Sequence, residues 1–171
     1  LKERTLRPYA WREFKNRWYL LAVEVYGKPD REDKIITWGL DRIKKLTVTN
    51  RTFKKRKINL KNEFEHCFGI YSNKEISPEK VILSFTPLNG KYIESCPLHK
   101  SQKVLINNEK EFRVELKVKV TNDFTMELLS QSEGMRVISP LHLKEKLIEI
   151  HEKAIHNLKT ADMNWILRLI W

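Results

Sequence analysis

The chain has 171 residues, of which 41% are hydrophobic and 32% charged, with a formal net charge of +11. That length suits one ordinary domain or two small ones. The longest apolar run, the six residues Trp18 to Val23, falls far short of the roughly 20 needed to cross a bilayer; neither a membrane partner nor a secretory signal is expected.

Charge is unevenly spread. Residues 1–57 hold 17 Lys and Arg against 7 Asp and Glu, whereas residues 58–171 hold 16 against 15. Self-repulsion within one small domain is a cost unless an acidic partner uses it, so the front third is expected to meet a phosphate-rich ligand. Only Cys67 and Cys96 are present, too few for a disulfide framework, which points to a reducing cytoplasm. The first residue is Leu1 rather than Met, so a piece of a longer protein is expected.

In chain order, residues 5–14 and 17–25 read as strands, the second because Trp18 to Val23 is aromatic and β-branched without helical periodicity. Gly27, Lys28, Pro29 and Asp30 give a turn, Ile35 to Leu40 the returning strand and 43–49 a further strand. Short strands joined tightly within about 60 residues argue for a small barrel. Leu60, Phe64, Cys67 and Phe68 recur at helical spacing and predict a short helix over 60–68. The polar stretch 72–80, with Pro78, reads as a linker.

The second half begins with a strand at Val81, Leu83 and Phe85. Asn89-Gly90 fits a hairpin turn, yet Asn89 to Ser95 fits a short helix equally well. Phe112, Val114, Leu116, Val118 and Val120 alternate with Arg113, Glu115, Lys117 and Lys119, which is a strand with one wet face. Thr121 to Asp123 cap a helix containing Phe124, Leu128 and Leu129 that Gly134 ends, and a strand follows at Met135 to Ile138. Ser139 as N-cap and Pro140 at the first helical position open a last helix, with Leu143, Leu147, Ile150, Ala154 and Leu158 on one apolar face.

Arg17-Trp18-Tyr19-Leu20, followed about twenty residues later by Leu40-Asp41-Arg42-Ile43 and preceded by Arg4-Thr5-Leu6-Arg7-Pro8-Tyr9, resembles a WYL domain. The Val81 strand, the Gln102 to Asn107 strand, the Phe112 strand and Met135-Arg136-Val137-Ile138-Ser139-Pro140 resemble, in order, the C-terminal extension that often follows it. The resemblance covers roughly residues 1–157. It implies a mixed α+β chain: an Sm-like (SH3-like) β-barrel WYL domain over 1–71, a linker over 72–80, a ferredoxin-like extension over 81–158 and a tail over 159–171. It also implies a dimeric bacterial transcription regulator whose WYL part senses a ligand, in some members single-stranded DNA. The family's N-terminal helix-turn-helix or winged helix, which would contact duplex DNA, is absent from this chain. Two features depart from the family. The strand that normally precedes the Arg4 segment is missing, which would leave an open barrel edge. The basic residue that many members carry before the Leu-Asp-Arg-Ile motif is replaced by Ile35, Ile36, Trp38 and Gly39.

Arg17 and Arg42 match the basic positions of the two main motifs, and an arginine fork suits phosphate oxygens; a structural ion pair between Arg42 and Asp41 is the other reading. Arg7 and Arg12 flank Tyr9 and Trp11, an interleaving of charge and π-faces that suits an unpaired nucleic-acid strand. Packing into the barrel wall is the alternative for both aromatics, and the favoured one. Alternation puts Tyr19 opposite Trp18 and Leu20; Trp18 and Trp38 are expected in the core. Lys54, Lys55, Arg56 and Lys57 read as a solvated loop. The ligand set is therefore Arg7, Tyr9, Arg12, Arg17, Tyr19 and Arg42.

His66-Cys67 and Cys96 with His99 fit no common zinc spacing and fall in different predicted domains, so no metal or other cofactor is expected. With 5 Gly, no phosphate-cradling loop and no nucleophile elbow, the chain is not expected to be an enzyme. The expected function is the ligand-sensing module of a helix-turn-helix regulator, a homodimer that binds single-stranded nucleic acid or a nucleotide. A stand-alone Sm-like RNA- or single-stranded-DNA-binding adaptor and an accessory module of a nucleic-acid enzyme are the alternatives.

Overall fold

A computed structural model describes residues 2–25 and 34–169, with side chains excluded at residue 132 and beyond residue 160. The chain divides into two units, Leu1–Ser72 and Asn73–Trp171. The turn expected at Gly27 to Asp30 lies outside the described residues.

The first unit contains strands β1 (Leu6–Phe14), β2 (Arg17–Glu24) and β3 (Ile35–Gly39) in one antiparallel sheet of order β1-β2-β3. Lys15 and Asn16 join β1 to β2 with φ of 51° and 60°, the two left-handed residues of a tight hairpin turn. That turn sets Phe14 opposite Arg17 and Arg12 opposite Tyr19. The register slips between Pro8 and Ala10, a bulge that leaves Tyr9 out of the ladder.

One sheet face is covered by the segment that follows. Leu21, Phe64 and Cys67 form a buried cluster with Ala10, Ile35 and Leu60 against it. Phe68 meets Phe14 edge-on at 5.6 Å, and the Thr37 hydroxyl donates to the Ile70 carbonyl at 2.9 Å. The helix expected over 60–68 is a single turn, α1 (Leu60–Glu63), capped by the Asn59 side chain. Its apolar residues plug the sheet from a chain of successive turns, which repeats at nearly the helical interval.

The barrel is not closed among the described residues. The strand expected at 43–49 does not form: a helical turn at Leu40–Arg42 ends β3, and the chain then runs irregularly to Asn59 with Leu46 and Val48 exposed. Alternating residues make a strand only where a sheet edge receives them.

The second unit is a four-stranded antiparallel sheet, order β5-β6-β4-β7, built from β4 (Glu79–Phe85), β5 (Lys103–Asn107), β6 (Phe112–Val118) and β7 (Met135–Ser139). Helix α2 (Pro87–Ser95) joins β4 to β5, and α3 (Asn122–Ser130) joins β6 to β7. Asn89-Gly90 thus lies in a helix, which starts at Pro87 behind a Thr86 cap. Val81, Leu83, Phe85, Phe112, Val114, Leu116 and Val118 are buried, together with Phe124 and Leu128 of α3. The α3 helix stops at Ser130, four residues before Gly134, and a helical turn over Ser132–Gly134 completes the connection.

The last helix, α4, spans Leu141–Leu169. Ser139 belongs to β7, opposite Ile82, so it does not cap the helix as expected. The apolar face sinks only at its start: Leu143 and Leu147 are buried and Ile150 half-buried, while Ala154 and Leu158 are exposed. No described helix is long and apolar enough to cross a membrane.

Candidate functional site

Strand register puts Arg12, Phe14, Arg17, Tyr19 and Leu21 on the same face of the first sheet. At the hairpin end of that face, Tyr19 lies opposite Gly39 of β3. Gly39 runs into the helical turn at Leu40–Arg42, and this folds the motif back towards Tyr19. A Cβ built on Gly39 would stand 2.7 Å from Asp41 Oδ1 and 3.8 Å from Arg42 Cδ and Nε. Asp41 and Arg42 therefore overlie Gly39, next to Tyr19.

Arg17 Nη1 lies 3.9 Å from Asp41 Oδ2, with both side chains more than half exposed. Arg17, rather than Arg42, is thus the partner of Asp41. An exposed pair at that separation is worth about 0–1 kcal/mol, so an incoming anion displaces it cheaply. Arg42 is exposed.

The other three expected site residues are placed differently. Arg12 is half-buried with its guanidinium 4.5 Å above the Phe64 ring, which ties it to the core cluster. Tyr9 is tilted against Phe53 with centroids 6.1 Å apart, and its hydroxyl accepts from the Arg56 backbone N–H at 3.4 Å. It thereby anchors the exposed basic run Lys54 to Lys57 beside β1, an outer strand of the sheet. Arg7 pairs across to Val23, five residues from Arg12 and roughly 17 Å away along an extended strand. The fold brings Arg17, Tyr19 and Arg42 together, sets Arg12 beside them and leaves Arg7 and Tyr9 apart.

On the opposite face, Trp11, Leu20 and Trp38 form a cross-strand row, and Trp18 sits opposite Glu13. The core placement expected of Trp18 is not found: it is 56% exposed, and Trp11 is 60% exposed. Trp38 is half-buried under the Arg4 guanidinium, 5.2 Å from its ring centroid. Arg4 also pairs with the buried Glu24 carboxylate. Large aromatics are mostly buried in folded proteins; this sheet face leaves Trp11 and Trp18 in contact with solvent.

Among the described residues no group of three or more His, Cys, Asp and Glu side chains is placed to share a metal ion. Cys67 is buried and Cys96 exposed. His99, buried, has its Nδ1 2.7 Å from the Ser101 hydroxyl and accepts there from the Ser101 backbone N–H. In the second unit the Glu111 carboxylate accepts from Ser84 Oγ at 2.7 Å and from Arg113 at 2.8–3.2 Å. The Ser84 hydrogen bond, with the adjacent Arg113, holds Glu111 below the usual carboxylate range.

Comparison with known protein families gives a match in the second unit. Residues 77–155, which run from just before β4 into α4, match the WCX domain. No curated protein matches the chain.

Proposed function

That match, to the C-terminal extension associated with WYL domains, supports membership of the WYL-type regulator family, and from this premise we propose that the chain is the ligand-sensing part of a transcription regulator. Its first unit binds single-stranded nucleic acid or a nucleotide and does no covalent chemistry. The observation that carries this reading is the meeting of Arg17, Tyr19 and Arg42 around one weak, exposed carboxylate pair. Two guanidinium forks supply donors for phosphate oxygens, and the phenol ring supplies a surface on which a base stacks. The site lies in the unit that holds most of the cationic surplus, and the exposed run Lys54 to Lys57 extends it along β1.

In this reading the second unit is ferredoxin-like, which its β-α-β-β-α-β order and β5-β6-β4-β7 sheet support. The first is the Sm-like WYL module, acting in the cytoplasm as part of a homodimer, with duplex DNA contacted by a helix-turn-helix elsewhere in the regulator. A ligand shifts such a dimer only if it binds its two arrangements with different affinity.

The test is titration of labelled poly-dT at two salt concentrations against the full chain, Arg17→Ala and Arg42→Ala. Each substitution removes one charge-assisted contact and is expected to weaken binding by about tenfold or more. If both variants bind within about twofold of the parent chain, the site is wrong.

A further inference from the structure

We propose that the groove between β7 and α4 is a docking site for an extended acidic segment of a partner protein. The groove holds about 380 Å³ and is lined by Met135, Arg136, Val137 and Ile138 of β7 and by Lys144, Leu147, Ile148 and His151 of α4. The α4 residues follow one another at intervals of three, one and three, which is a single helix face turned to the strand. β7 is an outer strand of its sheet, pairing with β4 on one side.

Charge selects the occupant. Arg136, Lys144 and His151 are exposed, and no lining residue is acidic. Glu111, within electrostatic reach of Arg136, is already engaged by Arg113 and Ser84, and Glu149 of α4 is engaged by Lys153. An acidic chain therefore meets two fixed positive charges and an imidazole without displacing an ion pair within the lining.

The bland alternative is that these cations only guard a sheet edge. A charged side chain and a bulge both blunt edges, and β7 has Arg136 and a register slip that leaves Ile138 out of the ladder. A guard has no need of exposed apolar walls, however. Ile138 is 49% and Ile148 46% exposed, above the buried floor of Leu147 and Val137. Leu141, at the start of α4, is also exposed. Apolar walls under a cationic rim fit a chain that alternates acidic and apolar residues, as an extended peptide does when successive side chains point to opposite sides.

The experiment measures fluorescence anisotropy of a labelled eight-residue peptide alternating glutamate and valine, titrated with the full chain. Saturable binding is expected, weakened at least tenfold by Lys144→Glu and by Ile138→Asp, with circular dichroism unchanged in both variants. A peptide alternating lysine and valine is expected not to bind. Absence of saturation up to millimolar chain overturns the proposal, as does equal binding of the lysine peptide, which would mark simple apolar adhesion. If Lys144→Glu abolishes poly-dT binding while leaving the acidic peptide untouched, the groove belongs to nucleic acid and the proposal also fails. The peptide readout is independent of Arg17 and Arg42, so its failure is separable from failure of the nucleotide site.

Discussion

Gly90→Ala tests the packing of α2 against β6 in the second unit. Gly90 lies in α2, and no described glycine has positive φ. Backbone conformation therefore permits alanine, and helix propensity alone would favour it by about 1 kcal/mol. Space forbids it. A Cβ at Gly90 would stand 2.3 Å from Phe112 Cβ and 2.7 Å from Phe112 Cγ, where carbon atoms rest at about 3.5–4.0 Å. Phe112 Cβ is bonded to the β6 backbone and cannot swing away, so α2 must lift by more than an ångström. Overpacking of this kind costs about 1–3 kcal/mol. Lifting α2 also exposes part of Ile93, which is buried beneath the same helix and whose full burial is worth about 1.5–3 kcal/mol. Set against the propensity gain, the net loss is about 1–4 kcal/mol. For a unit of this size each kcal/mol moves Tm by about 4–8 °C, so the melting transition should fall by at least several degrees. Leu88→Ala, at an exposed position of the same helix, is the control and should change Tm little. Thermal melts by far-ultraviolet circular dichroism read both; a Gly90→Ala Tm equal to or above that of the parent would refute the close approach.

Two further outcomes follow from side chains already placed. Glu111 has a lowered pKa in the folded chain, so its contribution to stability is complete above the ordinary glutamate value of about 4.5 and is lost as pH falls through the lowered one. The Tm gap between the parent and Glu111→Gln should be widest near neutrality and close in acid; a gap that widens in acid would reverse the sign. Phe64→Ala removes the largest member of the buried cluster in the first unit at a cost of about 3–5 kcal/mol, enough to lose hydrogen-exchange protection in β1 and β2. Protection that survives would mean that the cluster does not hold the sheet.

Strands were legible where the pattern was local. The alternation from Phe112 to Val118 and the aromatic run of β2 each imply their element directly. Patterns that need a distant partner misled. Ile43, Leu46 and Val48 look like strand residues, but no strand forms over 43–49 among the described residues and Leu46 is 77% exposed. The interval from Leu60 to Phe68 is helical, yet successive turns carry the same contacts with one turn of helix. Within the site, Arg17 and Arg42 were legible only through their motifs. That Asp41 would meet Arg17, Phe64 lie under Arg12 and Phe53 meet Tyr9 depends on how residues 40–70 return to the sheet, which no local pattern encodes.

The cationic surplus is not equally available to a ligand, and this makes the salt dependence of binding quantitative. Arg4 is committed to Glu24 and Trp38, and Arg12 is seated on Phe64. Arg17 and Arg42 remain at the site, with the exposed Lys54, Lys55 and Lys57 along β1. Each phosphate neutralised on a single strand contributes about −0.7 to the slope of log association constant against log salt. Two contacts at the arginine pair alone give about −1.4, and five with the three lysines engaged give about −3.5. Indiscriminate use of the net +10 on residues 1–57 would give about −7. Poly-dT titrated across a salt series should therefore fall in the lower range, and Arg42→Ala should make the slope about 0.7 shallower. A slope near −7 that Arg42→Ala leaves untouched would mean that the strand is held diffusely by the whole unit, and the fold would then have no bearing on where the ligand lies.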